Sequence, residues 1–570
     1  MLLNKIQIEN FRGIKKIDLE LDRITVLIGE NNIGKTSILE ALNICMNRGL
    51  TRRALPFSEY DFHLVDDKAQ PADAPPLSIT LTYEESKEDE WPDEITQAFP
   101  NVMQTIDGRR QRLTFRIVAK YDNTLRDFTM EWCFLDKDGN VLPTARQAKL
   151  VSDLQQLAPV FFLSAVRDAS QHFQAKSAFW APFTRNPQIA DDKRQEIEEQ
   201  IQQLNQSILD NHKPFEAVKD RIAQTGKLLP LAAKDLVSVE AVPARIFDML
   251  TRTQVKIAAR TGARLPISQH GSGTQSLSVL FLFEAFLQSR LAEAYDKHSE
   301  PILALEEPES HLHPSAARSL WGILEKIAGQ KIIATHSGDL LATVPLSAIR
   351  RLSRKNGKVE VFRLNPTSLT QRDLEKVTYH VRAKRGALLF ARCWMLVEGE
   401  TDFSLIPEFA QILGYDLDLC GVSCVEFSQC WPTPLIKVAR DLGIEWHLLA
   451  DGDAAGTRYV QAATDLLAGY PVTDRITQIA ENDVEHCLWH HGYNAFYEAA
   501  VDANHKPNIK AKSGDAVFPA ETIKAAIAST SKPQLAYGIL AEVQRRGKAG
   551  VPGRLKDAIQ QAVKLAGTCA

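Results

Sequence analysis

Acidic residues at the ends of apolar runs carry the first chemistry in this chain. Cys393-Trp394-Met395-Leu396-Val397 leads into Glu398-Gly399-Glu400-Thr401-Asp402, and His447-Leu448-Leu449-Ala450 leads into Asp451-Gly452-Asp453. Asn482-Asp483-Val484-Glu485 adds a third acidic cluster. Each apolar run reads as a buried strand, so Glu398 and the Asp451/Asp453 pair arrive at one edge of one sheet. Oxygen-only ligands suit magnesium or manganese. With this many carboxylates two ions can be held, and two ions clamp the attacking and leaving oxygens of a phosphodiester. The competing reading is two solvated acidic turns, which the agreement of both strand ends disfavours.

A second chemistry sits at Gly29-Glu30-Asn31-Asn32-Ile33-Gly34-Lys35-Thr36, between the apolar run 24–28 and Ser37-Ile38-Leu39. Strand, glycine-rich loop and helix form the setting of a phosphate-binding loop: backbone N–H groups and a helix N-terminus point at the anion. Lys35 would reach the terminal phosphates and Thr36 would offer its hydroxyl to magnesium. Asn31, Asn32, Gly34 and Ser37 complete the set expected to touch ATP. Further on, Pro301-Ile302-Leu303-Ala304-Leu305 ends in Glu306-Glu307-Pro308-Glu309, and Lys331-Ile332-Ile333-Ala334-Thr335 ends in His336. Glu306 would hold the magnesium ion, Glu307 would polarise the attacking water, and His336 would contact the γ-phosphate. Ser272 and Gly273, in Gly271-Ser272-Gly273-Thr274-Gln275 ahead of an apolar helix, read either as a helix cap or as a second phosphate contact.

These residues need positioning elements, and the chain is long enough for several. At 570 residues it exceeds one domain of ~150 residues. Residues 4–28 read as two alternating strands and a third feeding the loop. Leu77, Ile79, Leu81 and Tyr83, then Leu113, Phe115 and Ile117, then Phe128, Met130, Trp132 and Phe134 alternate as half-buried strands, an antiparallel lobe following the phosphate loop. Val160-Phe161-Phe162-Leu163 reads as a buried strand leading to Arg167 and Asp168. Residues 188–225 read as two helices with a seam at Ile197, Ile201, Leu204 and Ile208, resumed at Phe215, Val218 and Ile222 after Pro214. The net charge of −4 gives no global nucleic-acid signature. Eight cysteines without a C-x-x-C pair read as free thiols. With no signal peptide at the start and no apolar run near ~18 residues, the expectation is a cytoplasmic protein with no membrane contact.

Phosphate loop, Ser272-Gly273, Glu306-Glu307 and Thr335-His336, in this order, resemble the ABC-type ATPases of the SMC/RecF kind. Thr274 stands where a second glycine is usual, and Glu306 where aspartate is more common. The resemblance implies a dimeric head in which Ser272 and Gly273 of one subunit close on the partner's nucleotide. Glu398 with Asp451-x-Asp453 resembles a Toprim domain, and head plus Toprim resembles the OLD (overcoming lysogenization defect) family of ATPase–nucleases. The fold class expected is α/β: an SMC/RecF-like ABC ATPase head with antiparallel β lobe and helical dimerisation insert, then a Toprim α/β domain. The expected domains are 1–385 for the head (insert about 170–240), 386–500 for the Toprim core and 501–570 for a C-terminal helical part.

The family resemblance further implies Glu398, Asp402, Asp451, Asp453, Asp483 and Glu485 as metal ligands, and a C-terminal lysine supporting the phosphate transition state, Lys532 first and Lys548 second. Arg545-Arg546-Gly547-Lys548, with Arg554 and Lys556, either holds DNA backbone or is a soluble helix end. The implied activity is a metal-dependent DNA endonuclease, nicking or cutting, with ATP and Mg2+ (or Mn2+) in the head and one or two divalent ions in the Toprim site. Its implied role is anti-phage defence. Its implied partners are DNA, a second copy through the head, a second dimer joined through 188–225, and an operon-encoded helicase or reverse transcriptase. One rival is a topoisomerase-like enzyme, for which none of the 11 tyrosines is singled out by its setting. The other is a non-nucleolytic DNA-binding or signalling ATPase, against which the full carboxylate set argues.

Overall fold

A computed structural model describes residues 1–570 apart from 48–56, 67, 123, 126, 145–146, 165–172, 174–176, 178, 186–188, 213, 215–217, 219–239, 244, 251–252, 259–261, 356, 384–385, 429 and 568–570. The chain divides into two compact units. One comprises Met1–Phe162, Glu300–Glu309 and Pro314–Ala570; the other comprises Leu163–Ser299 and Ser310–His313. Residues 1–162 and 314–570 thus fall in one compact unit.

Strands that are buried at nearly every position lie together, as in parallel sheets. β3 (Ile24–Gly29), β12 (Ile302–Glu306), β13 (Gln330–Ala334) and β14 (Ile349–Lys355) lie with β9 (Val160–Leu163) and β15 (Lys358–Phe362) in one sheet, order β15-β14-β3-β13-β12-β9. β14, β3, β13 and β12 are mutually parallel. Their carboxyl ends therefore bring the phosphate loop, Glu306 and Thr335 to one edge.

The alternating runs form the antiparallel lobe. Its strands are β1 (Leu3–Phe11), β2 (Ile14–Glu20), β4 (Leu77–Glu84), β5 (Gln104–Ile106), β6 (Arg110–Asp122), β7 (Asp127–Leu135) and β8 (Val141–Leu142). They lie in the order β2-β1-β4-β6-β7-β8, with β5 paired to β6. The lobe does not merely follow the loop: the hairpin preceding it joins as well, with Ile6 opposite Leu81 and Ile8 opposite Ile79. The helix Lys35–Met46 supplies Ile38, Leu39 and Leu42 to a core that also holds Ile6, Ile79 and Phe115 of the lobe and Ile302 and Ala304 of β12.

In the second unit, helices span Asp191–Asp210 and Ser272–Ser289, with a hairpin of β10 (Lys256–Ala258) and β11 (Arg264–Pro266). Of the expected seam, Ile201 is buried, whereas Ile197 and Leu204 are 36% and 51% exposed. The helix ends at Asp210, ahead of Pro214. Arg167, Asp168, Phe215 and Ile222 lie outside the described residues.

The last third forms a four-stranded parallel sheet from β16 (Cys393–Val397), β17 (Val422–Glu426), β18 (Glu445–Ala450) and β19 (Ile476–Gln478), in the order β17-β16-β18-β19. Helices Phe518–Ser529, Lys532–Arg546 and Gly553–Gly567 share its hydrophobic core through Ile523, Ile539, Val543 and Ile559. No helix among the described residues is long and apolar enough to cross a membrane. The seven described cysteines are free thiols; Cys569 lies outside the described residues.

Candidate functional site

β3 hands the chain to the loop, and the helix starts at Lys35 from Gly34, whose φ of +105° is one that glycine adopts without strain. Lys35 Nζ donates to the carbonyls of Gly29 (2.8 Å) and Glu30 (2.7 Å). Burial pulls its pKa down to about 8, against the opposing pull of Glu307 and Glu30. The Thr36 hydroxyl donates to the Glu306 carboxylate, so the two expected magnesium ligands face each other. Glu307 takes a positive φ of 42°, and its N–H bonds the Ala334 carbonyl at 2.8 Å. His336 has its pKa lowered by burial and then by Lys35, which keeps the imidazole neutral. Thr335 donates to Glu309 at 2.5 Å, and burial raises the Glu309 pKa. Asn31 and Asn32 are exposed on the loop, and Ser37 lies in the first helical turn. Ser272 opens its helix in the other compact unit, with Gly271 as a cap that makes no side-chain bond.

At the second sheet, parallel β16 and β18 are neighbours, so Glu398 and Asp451 leave adjacent carboxyl ends. β19 lies beside β18 and leads to Asp483 and Glu485. Asp402 enters from the first turn of helix Glu400–Leu413, its Oδ2 accepting the Gly399 N–H at 3.2 Å. Asp483 caps the helix Val484–Leu488, accepting the N–H of His486 at 2.8 Å and its Nδ1 at 2.6 Å. Asp453 does not aim solely at the cluster: its Oδ1 caps the helix Ala454–Thr464 by accepting the Gly456 N–H at 2.7 Å. Gly456 is required there, since a Cβ would meet the Asp451 carbonyl oxygen at 2.0 Å.

Burial, then the charges of Asp402, Glu398, Asp483 and Glu485, push the Asp451 carboxyl up to about 9. Among the described residues no three His, Cys, Asp or Glu groups are gathered tightly enough to hold an ion as they stand. The carboxylates reach one another electrostatically but repel, so coordination requires their side chains to close in. An all-oxygen set this rich in negative charge fits Mg2+ or Mn2+.

The two lysines fare differently. Lys532 begins the helix Lys532–Arg546, and its side chain lies outside the described residues. Lys548 is a correction to expectation. Its Nζ lies 3.6 Å from where a Cβ on Gly414 would be, at the C-terminal end of helix Glu400–Leu413. Asp402 is in that helix's first turn, so the ammonium and the acidic cluster are about 15–20 Å apart along it. In the basic run, Arg545 and Arg546 pair with Glu542, and Arg546 lies 3.9 Å over the Tyr493 ring.

Sequence reasoning missed Thr401, whose hydroxyl donates to Glu485 at 3.1 Å, and Tyr459, whose pKa is raised by burial and then by Glu398. Thr401 lies inside the acidic motif and was legible; Tyr459 carried no signal, because only the fold brings its helix to the carboxylates.

Known proteins bear on this arrangement. A family model described as "Protein of unknown function (DUF2813)" matches residues 1–387, and one described as "Overcoming lysogenization defect protein-like, TOPRIM domain" matches residues 389–453. The chain is 29% identical over 580 residues to the uncharacterized protein YbjD of Escherichia coli (strain K12), covering 99% of each. It is 28% identical over 480 residues to the OLD nuclease of Thermus scotoductus, covering 79% of this chain and 82% of that one. With endonuclease GajA of Bacillus cereus it shares 21% identity over 474 residues, 82% of this chain and 78% of that one. The chain belongs to the DUF2813 family, and its residues 389–453 match an OLD-like Toprim domain.

Proposed function

We propose that this protein is a divalent-metal-dependent DNA endonuclease, governed by an ATP-binding and hydrolysing head, that acts in anti-phage defence. The observation carrying the reading is that Glu398 and Asp451 leave adjacent carboxyl ends of parallel strands, with Asp402, Asp483 and Glu485 near enough to raise the half-buried Asp451 carboxyl. The OLD nuclease and GajA relatives support it.

Glu398, Asp402, Asp451, Asp483 and Glu485, with Asp453 at the rim, would hold one or two Mg2+ or Mn2+ ions. Bound there, such ions supply Lewis-acid stabilisation of phosphodiester oxygens and a more acidic water. The chain's own part is electrostatic and geometric. Asp451 carries a proton at neutral pH that it must give up before acting as a ligand. Thr401 fixes one oxygen of Glu485, and the Asp483–His486 pair fixes Asp483. Lys532 is the candidate for steadying the phosphate transition state.

In the head, Lys35 would exchange its carbonyl partners for ATP phosphates, with Asn31, Asn32, Gly34 and Ser37 around them. Thr36 and Glu306 would share magnesium, Glu307 would orient water, and neutral His336 would donate to the γ-phosphate. Ser272 and Gly273 would serve the nucleotide of a second copy, making a homodimer, with dimers of dimers and an operon-encoded helicase or reverse transcriptase as further partners.

Plasmid cleavage with Mg2+ or Mn2+ tests the reading. Glu398→Ala and Asp451→Ala are each expected to abolish cleavage with circular dichroism unchanged; cleavage surviving both would sink it. For the head, Lys35→Ala should abolish nucleotide binding, measured with a fluorescent ATP analogue.

A further inference from the structure

The carboxyl edge of the Toprim sheet is acidic along β16, β18 and β19 but aromatic at β17. Phe427 follows β17 directly, and its N–H bonds the carbonyl of Val397, the residue before Glu398, at 3.0 Å. Trp431 closes the next turn, its N–H bonding the Phe427 carbonyl at 2.8 Å. Tyr459, from the helix that Asp453 caps, meets both rings edge-on: 5.1 Å and 78° to Phe427, 5.1 Å and 83° to Trp431. Phe427 is fully buried and anchors the group. Trp431 is not needed as core: it is 44% exposed. Its backbone is also held at φ +69° and ψ 153°, a region that costs a bulky residue on the order of 1–3 kcal/mol. A large ring kept exposed at a backbone cost, one strand along from Glu398, is poorly explained by packing.

We propose that Trp431, backed by Tyr459, is a stacking platform for an unpaired nucleobase of the strand being cut, so that the substrate class is DNA with single-stranded character at the cleavage point. The inference rests on the nuclease reading above. Sheet order supplies the geometry: a strand crossing the carboxyl edge passes the carboxylates of β18 and β16 and then reaches the rings at β17. Every base has a π face, so such a platform selects for an unstacked base rather than for sequence. A fully paired duplex keeps its bases stacked on one another and has none to offer.

The test compares cleavage of a 5′-labelled single strand with cleavage of its full duplex in Mn2+, using the whole protein. Trp431→Gly removes the ring while fitting the positive φ, and Trp431→Tyr keeps a ring. Wild type and Trp431→Tyr should prefer the single strand. In Trp431→Gly the single-strand to duplex rate ratio should fall by roughly tenfold or more, the scale of losing one stacked base. A single strand carrying 2-aminopurine near the cut site should be quenched on binding wild type and not Trp431→Gly. Manganese binding by Trp431→Gly, read by calorimetry, should match wild type and so show the carboxylates still assembled. An unchanged ratio in Trp431→Gly, or a wild type that prefers duplex, overturns the platform while leaving the nuclease standing. No cutting of either DNA by wild type removes the nuclease reading and the platform with it.

Discussion

Arg392, immediately before the first Toprim strand, donates from Nε to a carboxylate oxygen of Glu30 in the phosphate loop at 2.6 Å. Glu30 is also the residue whose carbonyl accepts from Lys35 at 2.7 Å. One loop residue therefore touches Lys35 through its backbone and the base of the acidic domain through its side chain.

That contact predicts a variant phenotype. The pair is partly exposed, 27% and 45%, so it contributes at most about 1 kcal/mol to stability. Arg392→Ala should keep its melting temperature within a few degrees, yet alter the ratio of DNA cleavage with ATP to cleavage without it. A ratio equal to wild type would show that the contact carries nothing from head to nuclease.

Arg351 should matter more for stability. It is 2% exposed on β14 and donates to the carbonyls of Leu389, Ala391, Leu442 and Gly443 at 2.8–3.2 Å. Arg351→Met leaves these buried acceptors without that donor, and a loss on the order of 3 kcal/mol is expected in urea unfolding. A loss below about 1 kcal/mol would mean that other donors replace it.

Asp451 sets a pH dependence. Its carboxyl is ordinary in the unfolded chain (3.8) and raised to about 9 in the folded one. The folded state thus holds a proton that the unfolded state has released. Its favourable contribution is complete below about 4 and declines as pH rises towards about 9. Without divalent ions, melting temperature should fall across that window, and Asp451→Asn should fall less steeply. The stabilisation by Mn2+ should grow with pH, because protons compete for the same oxygen. Melts at pH 6 and 8.5, with and without Mn2+, check both.

Lys548→Ala is expected to leave cleavage within about twofold of wild type and to lower stability by ~0.5 kcal/mol, the scale of a cation at a helix C-terminus. Lys532→Ala should reduce cleavage far more. Abolished cleavage in Lys548→Ala would return that residue to the site.

Much of this protein is written locally. Largely apolar runs determined the parallel strands 24–29, 302–306, 393–397 and 445–450, and alternation determined the lobe strands at 77–84 and 110–122. Strand-end position placed the phosphate loop, Glu306, Glu398 and Asp451 at carboxyl edges before any contact was known, because strand direction follows from chain order. Sheet order is a different matter: it joins residues far apart in sequence, and no spacing encodes it. Only the tertiary structure set β19 beside β18, turned Asp453 to a helix cap, carried Lys548 to the far end of helix Glu400–Leu413, and put Trp431 next along the edge from Glu398. The physical reason is that periodicity reports which face of an element is buried, whereas the neighbour that buries it is chosen by packing the whole core at once.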